Sequence, residues 1–416
     1  MQLSIRFPKT AMSIFFITII IVFMALTQQV SAHATLEKAT PNANSVVDEQ
    51  PGEIELQFNE PVHAQYSSVQ IFDDTGSEIA EVKPSTTGSS QTLTFPVDEL
   101  EKGTHNIKWQ TMSADGHEIS DTFEFSIGKE TANGIDTTPP FYEKADFWFG
   151  ALRFITEGLI IILSGLFLVN QLASRKGLLT FNSDRYFKPI IWILVMLSVM
   201  TALVYMMTLS SDVVSDVLSL QTAALTQVPF VLTMVAIIVL LGLFTLKHMA
   251  QSWYVLISIA MLVALSMSGH AWSQSVQIWS ILIRTVHIGG MSLWLGALAY
   301  LLCVVYANTR QNSQPIRSFL LKINTTAVTL IIISGVLMAI DQTNILAIWT
   351  NIQTWSALLI VKVLLTLIMM GLGFYQTTRA LGKQQRANKA TLYGELSVGL
   401  ILILVGVIMS QINIPG

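Results

Sequence analysis

Residues 105–128 read HNIKWQTMSADGHEISDTFEFSIG. Two runs in this stretch, HNIKWQT and TFEFSIG, alternate apolar and polar side chains with a period of two, the pattern of half-buried β-strands. Between them lies Asp115-Gly116-His117, which has two readings. On extended backbone, residues two apart point to the same face, so the Asp115 carboxylate and the His117 imidazole would form half of a metal site. Asp-Gly is also an ordinary hairpin turn.

Working outward, EIELQFN (53–59), SSVQIFD (67–73) and QTLTFPV (91–97) repeat the alternation, and turn signals at Asp74-Thr75-Gly76 and from Pro84 to Ser90 separate them. The expectation over residues 33–128 is an all-β domain, an antiparallel sandwich or barrel. His63 and His105 sit beside strand patterns with no partner at ligand spacing and are expected to be solvated. Residues 129–146 read as a linker, with TANGIDTTPP at 131–140.

Beyond the linker the composition changes. Of 416 residues, 52% are apolar and 12% charged, about half the usual charged share. Apolar runs at 147–169, 190–209, 227–246, 253–269, 277–303, 319–340, 355–375 and 392–412 predict an all-α membrane bundle of eight spanning helices over 147–416. Lys and Arg collect in 170–189, 304–322 and 376–391, with Lys247 in a fourth loop, while 210–226, 270–276 and 341–354 hold none. Basic loops stay in the cytoplasm, which puts both the β domain and the C-terminus outside the cell membrane. Residues 33–140 hold 19 Asp and Glu against 5 Lys and Arg, net −14, and 141–416 hold 8 against 16, net +8. An acidic exterior part on a basic membrane part argues against nucleic acid and for a cationic ligand. With a single cysteine, Cys303, metal chemistry must use His, Met and carboxylates.

Arg6 and Lys9, an apolar stretch from Ala11 to Leu26, and Val30-Ser31-Ala32 have the layout of a secretory signal over residues 1–32. Cleavage after Ala32 would make His33 the first residue and offer its α-amine and ring Nδ1 as a chelating pair.

Here the residues become specific. SAHATLEKATPNANSVV (31–47), IELQFNEPV (54–62), IFDDTG (71–76) and IKWQTMSADGHEISDTFEFSIG (107–128) resemble the CopC copper-binding family, a seven-strand Greek-key barrel of the cupredoxin or immunoglobulin-like type. The resemblance implies Cu(II) held by an amino-terminal His and by the Asp and His of a DGH motif, here His33, Asp115 and His117. Nitrogen donors with one carboxylate suit Cu(II), though ligands alone also admit zinc or nickel. A methionine-rich Cu(I) site is not expected in this domain, which carries Met112 alone.

In the membrane part, polar residues mark positions costly to keep. Arg153 and Glu157 are four apart and could pair; Arg153 and Glu395 could snorkel; Arg284 and Lys362 are assigned to structure, counter-charge or gating. His270 with Met267, and His287 with Met291, read as two His/Met pairs that share helix faces, a possible copper path with donors suited to Cu(I). ALSMSGHA (264–271), LIRTVHIGGMSLWLGALAYL (282–301) and TWSALLIVKVLLTLIMMGLGFYQ (354–376) look like CopD, an eight-helix copper protein of the inner membrane. Trp355-Ser356 stands where many relatives show Tyr-Gly, so from this last stretch only Lys362 is carried over.

The resemblance implies a CopC/CopD fusion that captures exterior Cu(II) and imports copper, a carrier rather than an enzyme. Its expected partners are the copper ion, the lipid membrane and an extracytoplasmic copper chaperone or reductase. No Walker-type phosphate loop is present, so transport would be passive or coupled to another ion. Two competing readings are a membrane cupric reductase with a b-type haem on His270 and His287, and a copper-resistance sequestration or sensor protein without transport.

Overall fold

A computed structural model describes residues 34–114, 116, 118–131, 141–181, 183–307, 313–343, 354–376 and 389–411. The hairpin expected from residues 105–128 is its longest strand pair. β7 (Gly103–Met112) runs antiparallel to β8 (Glu118–Ile127), in register from Gly103 opposite Ile127 to Met112 opposite Glu118. Alternation then decides what faces inward. In β3 (Glu53–His63) Ile54, Leu56, Phe58 and Val62 are buried, and in β7 Ile107 and Trp109 meet them from the other sheet. Phe58 packs edge-on against Trp109 with ring centroids 5.3 Å apart.

The β part is a two-sheet sandwich. One sheet has the order β1-β3-β6, with β1 at Leu36–Thr40 and β6 at Ser89–Pro96. The other has β2-β8-β7-β4-β5, with β2 at Ser45–Val47, β4 at Ser68–Phe72 and β5 at Glu78–Val82. There are thus eight strands among the described residues, against the seven implied by the resemblance; β2 is three residues long and pairs parallel to β8.

Ten α-helices follow among the described residues: α1 (Ala145–Arg175), α2 (Ser183–Met206), α3 (Ser211–Leu218), α4 (Thr222–Gln227), α5 (Pro229–Phe244), α6 (Gln251–Ser266), α7 (Gln277–Ala307), α8 (Ser313–Gln342), α9 (Thr354–Tyr375) and α10 (Lys389–Met409). Six are long and apolar enough to cross a membrane, namely α1, α2, α7, α8, α9 and α10. The other two apolar helices, α5 and α6, have 16 residues each. That is about 24 Å of helix against a hydrocarbon layer of about 30 Å. The expected count of eight spans therefore becomes six by length.

Local chemistry explains the two short helices. Pro229 at the start of α5 lacks the N–H that would continue α4, and Val228 between them has left helical geometry at φ −117°, ψ 63°. α6 stops at Ser266, where Gly269 takes φ +66°.

The centre of the bundle is the crossing of α1 and α7. A Cβ added at Gly165 would lie 1.8 Å from the Ser292 carbonyl oxygen, and one at Gly296 would lie 2.1 Å from the Gly165 carbonyl carbon. Backbone therefore touches backbone, and the Ser292 hydroxyl donates to the Ile161 carbonyl at 2.8 Å. Such close approach through small residues is how helices associate where lipid removes the hydrophobic incentive. The outer helices are apolar on their exposed sides as well. Val363, Leu364, Leu367 and Ile368 of α9 are all more than half exposed, an arrangement that suits lipid and not water.

Candidate metal centre

Of the three residues expected to hold Cu(II), His33, Asp115 and His117 all lie outside the described residues, but Gly116 at the centre of the DGH segment is described. It adopts φ +86°, and its N–H donates to the Ser113 carbonyl at 3.0 Å. Gly116 thus lies in the connection that closes the β7–β8 hairpin, and its own backbone is turned rather than extended. Glycine is required twice over. The left-handed backbone excludes most side chains, and a Cβ would lie 2.3 Å from the Gln227 carbonyl oxygen and 3.2 Å from the Val228 Cα.

Those two contacts belong to the helical part. The tip of the turn rests on the break between α4 and α5, and the buried Tyr205 hydroxyl at the end of α2 donates to the Gly116 carbonyl at 2.7 Å. Tyr66 and Met112 complete the contact by joining an apolar cluster with Val213, Val217, Val228 and Phe230. The Tyr66 hydroxyl donates to Asp216 at 3.2 Å; burial, with the Asp216 carboxylate beside it, pushes the phenol up to about 12. Burial likewise raises the Glu118 carboxyl to about 7, more than hydrogen bonding from Ser210 lowers it. Lys83 and Asp212 pair at 3.0 Å, but both are more than half exposed and such pairs contribute about 0–1 kcal/mol.

The Tyr205 contact makes a prediction. Tyr205→Phe removes the donor to a buried carbonyl and is expected to cost about 1–2 kcal/mol, speeding hydrogen exchange of the residue 113–123 segment about 5- to 30-fold. Unchanged exchange there would mean that Tyr205 does not hold the turn.

The remaining histidines of the sandwich correct one expectation. His105 is buried rather than solvated; its Nε2–H donates to the Glu101 carbonyl at 2.9 Å and its ring meets Phe125. His63 is partly buried, and desolvation lowers its pKa. Among the described residues no three His, Cys, Asp or Glu side chains gather at ligand spacing.

In the helical part the two His/Met pairs separate. Met267 follows the last residue of α6, and His270 lies in a 3₁₀ turn at Gly269–Ala271, so these two do not share a helix face. His287 and Met291 lie one turn apart on α7 and line one cavity with Lys362, Thr366 and Met369. His270 does not line that cavity. Sequence reasoning passed over Met369 because its thioether is one of 17 in an apolar chain, and only the fold faces it toward His287. Arg153 does not snorkel. It is 1% exposed, pairs with Glu157 at 2.6 Å and lies over the Phe149 and Phe230 rings, so both charge and guanidinium face are satisfied internally. Glu395 is also buried. The Arg284 guanidinium donates to the Ser268 carbonyl.

Comparison with known proteins agrees with the sandwich. Residues 36–128 match the CopC domain. The chain is 30% identical over 117 residues to the "Copper transport protein CutJ" of Bacillus subtilis, a match covering 27% of this chain and 21% of that protein, so the matched part spans about a fifth of CutJ. It is 28% identical over 119 residues to "Copper resistance protein C" of Pseudomonas syringae pv. tomato, covering 27% of this chain and 94% of that one. Among solved structures, CopC from Methylosinus trichosporium OB3b matches at 31% identity, with 25% of this chain and all of that chain covered and a TM-score of 0.22. Residues 36–128 are accordingly a CopC domain, set in front of a helical part in which six helices are long and apolar enough to cross a membrane.

Proposed function

We propose that this protein captures Cu(II) outside the cell at His33, Asp115 and His117 and passes copper to a CopD-like membrane bundle for import into the cytoplasm. The observation that carries the reading is the position of the DGH turn. Gly116 rests on the break between α4 and α5 and accepts from Tyr205, so the residue between the two expected ligands in sequence sits where sandwich meets bundle. A free amino-terminal His would add its amine and ring nitrogen. Two imidazoles, an amine and a carboxylate favour Cu(II) among divalent first-row metals. The relatives named for copper transport and copper resistance support copper as the ligand, and the net charge of −14 on residues 33–140 would concentrate it.

The basic loops support a cell-membrane location with the β domain and the C-terminus outside. The short helices do not upset this arrangement, because α5 and α6 form a pair; whether that pair crosses or dips back, both chain ends stay on one side. Inward movement of a cation gains about 2.3 kcal/mol per charge per 100 mV of inside-negative potential, enough to drive accumulation without ATP. Thioether donors along α7 and α9 suit Cu(I), so one electron per ion is required from a separate extracytoplasmic reductase.

Two measurements test the reading. A deletion strain starved of copper is expected to accumulate less than its parent, and equal accumulation sinks import. One extra alanine placed before His33 is expected to weaken Cu(II) binding by the processed full chain, because it removes the amine from the chelate. If deletion leaves uptake unchanged but lowers copper tolerance, the protein sequesters copper instead of carrying it.

A further inference from the structure

Two small cavities lie on either side of Trp294, both enclosed by α7, α8, α9 and α10. The first, about 30 Å³, holds His287, Met291, Lys362, Thr366 and Met369. The second, about 20 Å³, holds Arg317, Asn324, Gln376 and Glu395. The order of these residues along the helices is consistent. α7 passes from His287 and Met291 through Trp294 to Leu298. α9 passes from Lys362 and Thr366 through Met369 to Gly373, with Gln376 just past its end. α10 runs the opposite way, from Glu395 through Gly399 to Leu402. The four helices therefore build the same two layers at about 10 Å spacing, seven residues along a helix, with one indole between them.

The chemistry of the layers differs. In the first, the Ser334 hydroxyl donates to the Leu330 carbonyl at 2.5 Å, so its oxygen accepts from His287 Nδ1 at 3.0 Å. That assigns the proton to Nδ1 and leaves the Nε2 lone pair as the ring's donor atom. Imidazole with two thioethers, Met291 and Met369, is a soft donor set. The ammonium of Lys362 in the same cavity repels any cation bound there and keeps the affinity modest, which a conducting station needs. In the second layer the donors are oxygens. Glu395 is 6% exposed and its Oε1 has no hydrogen-bond partner; the Asn324 Oδ1 also has none. Arg317 lines the cavity without forming an ion pair to Glu395: among the described residues the ion pairs are Arg153–Glu157 and Lys83–Asp212. An arriving cation would supply the partner that this buried carboxyl oxygen lacks.

We propose that a soft monovalent cation crosses the bundle between α7, α8, α9 and α10, held first by His287, Met291 and Met369, passing Trp294, and leaving through the cavity that holds Glu395 and Asn324. The route rests on the import reading given above and adds to it the residues of passage.

The test uses the full chain in liposomes with an inside-negative potassium diffusion potential, silver(I) outside as the probe, and internal silver read by mass spectrometry. Trp294→Ala is expected to raise the initial rate several-fold by opening the barrier, and Glu395→Gln to lower it about tenfold by removing the charge that draws the ion past the indole. Met196→Ala, on the exposed side of α2, is expected to leave the rate unchanged. A gain in Trp294→Ala stands as evidence where the vesicles keep their potassium gradient, which a leak from misfolded protein would collapse. A wild-type rate above that of empty liposomes, with an unchanged rate in either Trp294→Ala or Glu395→Gln, overturns the route and leaves import standing. A wild-type rate no higher than that of empty liposomes overturns import and the route together.

Discussion

Gly165→Val is expected to prevent the bundle from closing. The added Cβ alone would sit 1.8 Å from the Ser292 carbonyl oxygen and 2.6 Å from its carbon, and on the same crossing a Cβ built at Gly296 would sit 2.1 Å from the Gly165 carbonyl carbon. Backbone cannot rotate out of the way as a side chain can, so α1 and α7 must move apart. That separation opens the contact from which the other helices are hung, since α1 also packs on α2, α6 and α10, and α7 on α6, α8 and α10. Overpacking typically costs about 1–3 kcal/mol where neighbours can adjust, and more is expected at a rigid backbone contact. The measurement is thermal stability of detergent-solubilised protein followed by size exclusion. Gly406→Ala serves as the control, because nothing lies within 4 Å of a Cβ built there and alanine favours the helix. If Gly165→Val melts with the wild type, the crossing is not as close as described.

His117→Ala should weaken Cu(II) binding by the processed full chain about 100-fold or more, since losing even an outer-shell partner of a ligand costs about 10- to 100-fold. His63→Ala should leave the affinity unchanged. His105→Ala has a separate signature. The ring is buried against Phe125 and bonded to the Glu101 carbonyl, so its removal is expected to lower the melting temperature while sparing copper affinity in the folded protein. Measuring affinity by competition and stability by melting keeps the two effects apart. Equal losses of affinity in all three variants would mean that His117 is not a ligand.

Much of the β domain was legible because a strand reports its buried face every second residue, and Ile54, Leu56 and Phe58 are inward for the reason their alternation suggests. The DGH segment was legible as a motif and ambiguous as a conformation. Asp-Gly fits both a turn and a metal half-site, and only the φ of Gly116 and its contact with Gln227 show the turn. His105 was misjudged because a neighbour four residues back, the Glu101 carbonyl, satisfies it; spacing to other ligands carries no trace of a backbone partner. The buried state of Arg153 was missed likewise. Its pairing with Glu157 follows from i, i+4 spacing, whereas the Phe230 ring that covers it comes from another helix.

The amino-acid sequence by itself determined that an acidic all-β part precedes a long apolar helical part, that a DGH motif lies between two strand patterns, and roughly where the long apolar helices run. These are local properties, carried by periods of two and 3.6 residues and by length. Tertiary structure alone decided that the hairpin tip rests on the α4–α5 break, that Gly165 and Gly296 let α1 and α7 touch, and that Met369 and Glu395 face cavities on either side of Trp294. The physical reason is that a helix apolar on every side carries no pattern telling its protein-facing side from its lipid-facing one. Which neighbour it meets is chosen by fit between residues more than a hundred positions apart, and fit is a property of shape in three dimensions.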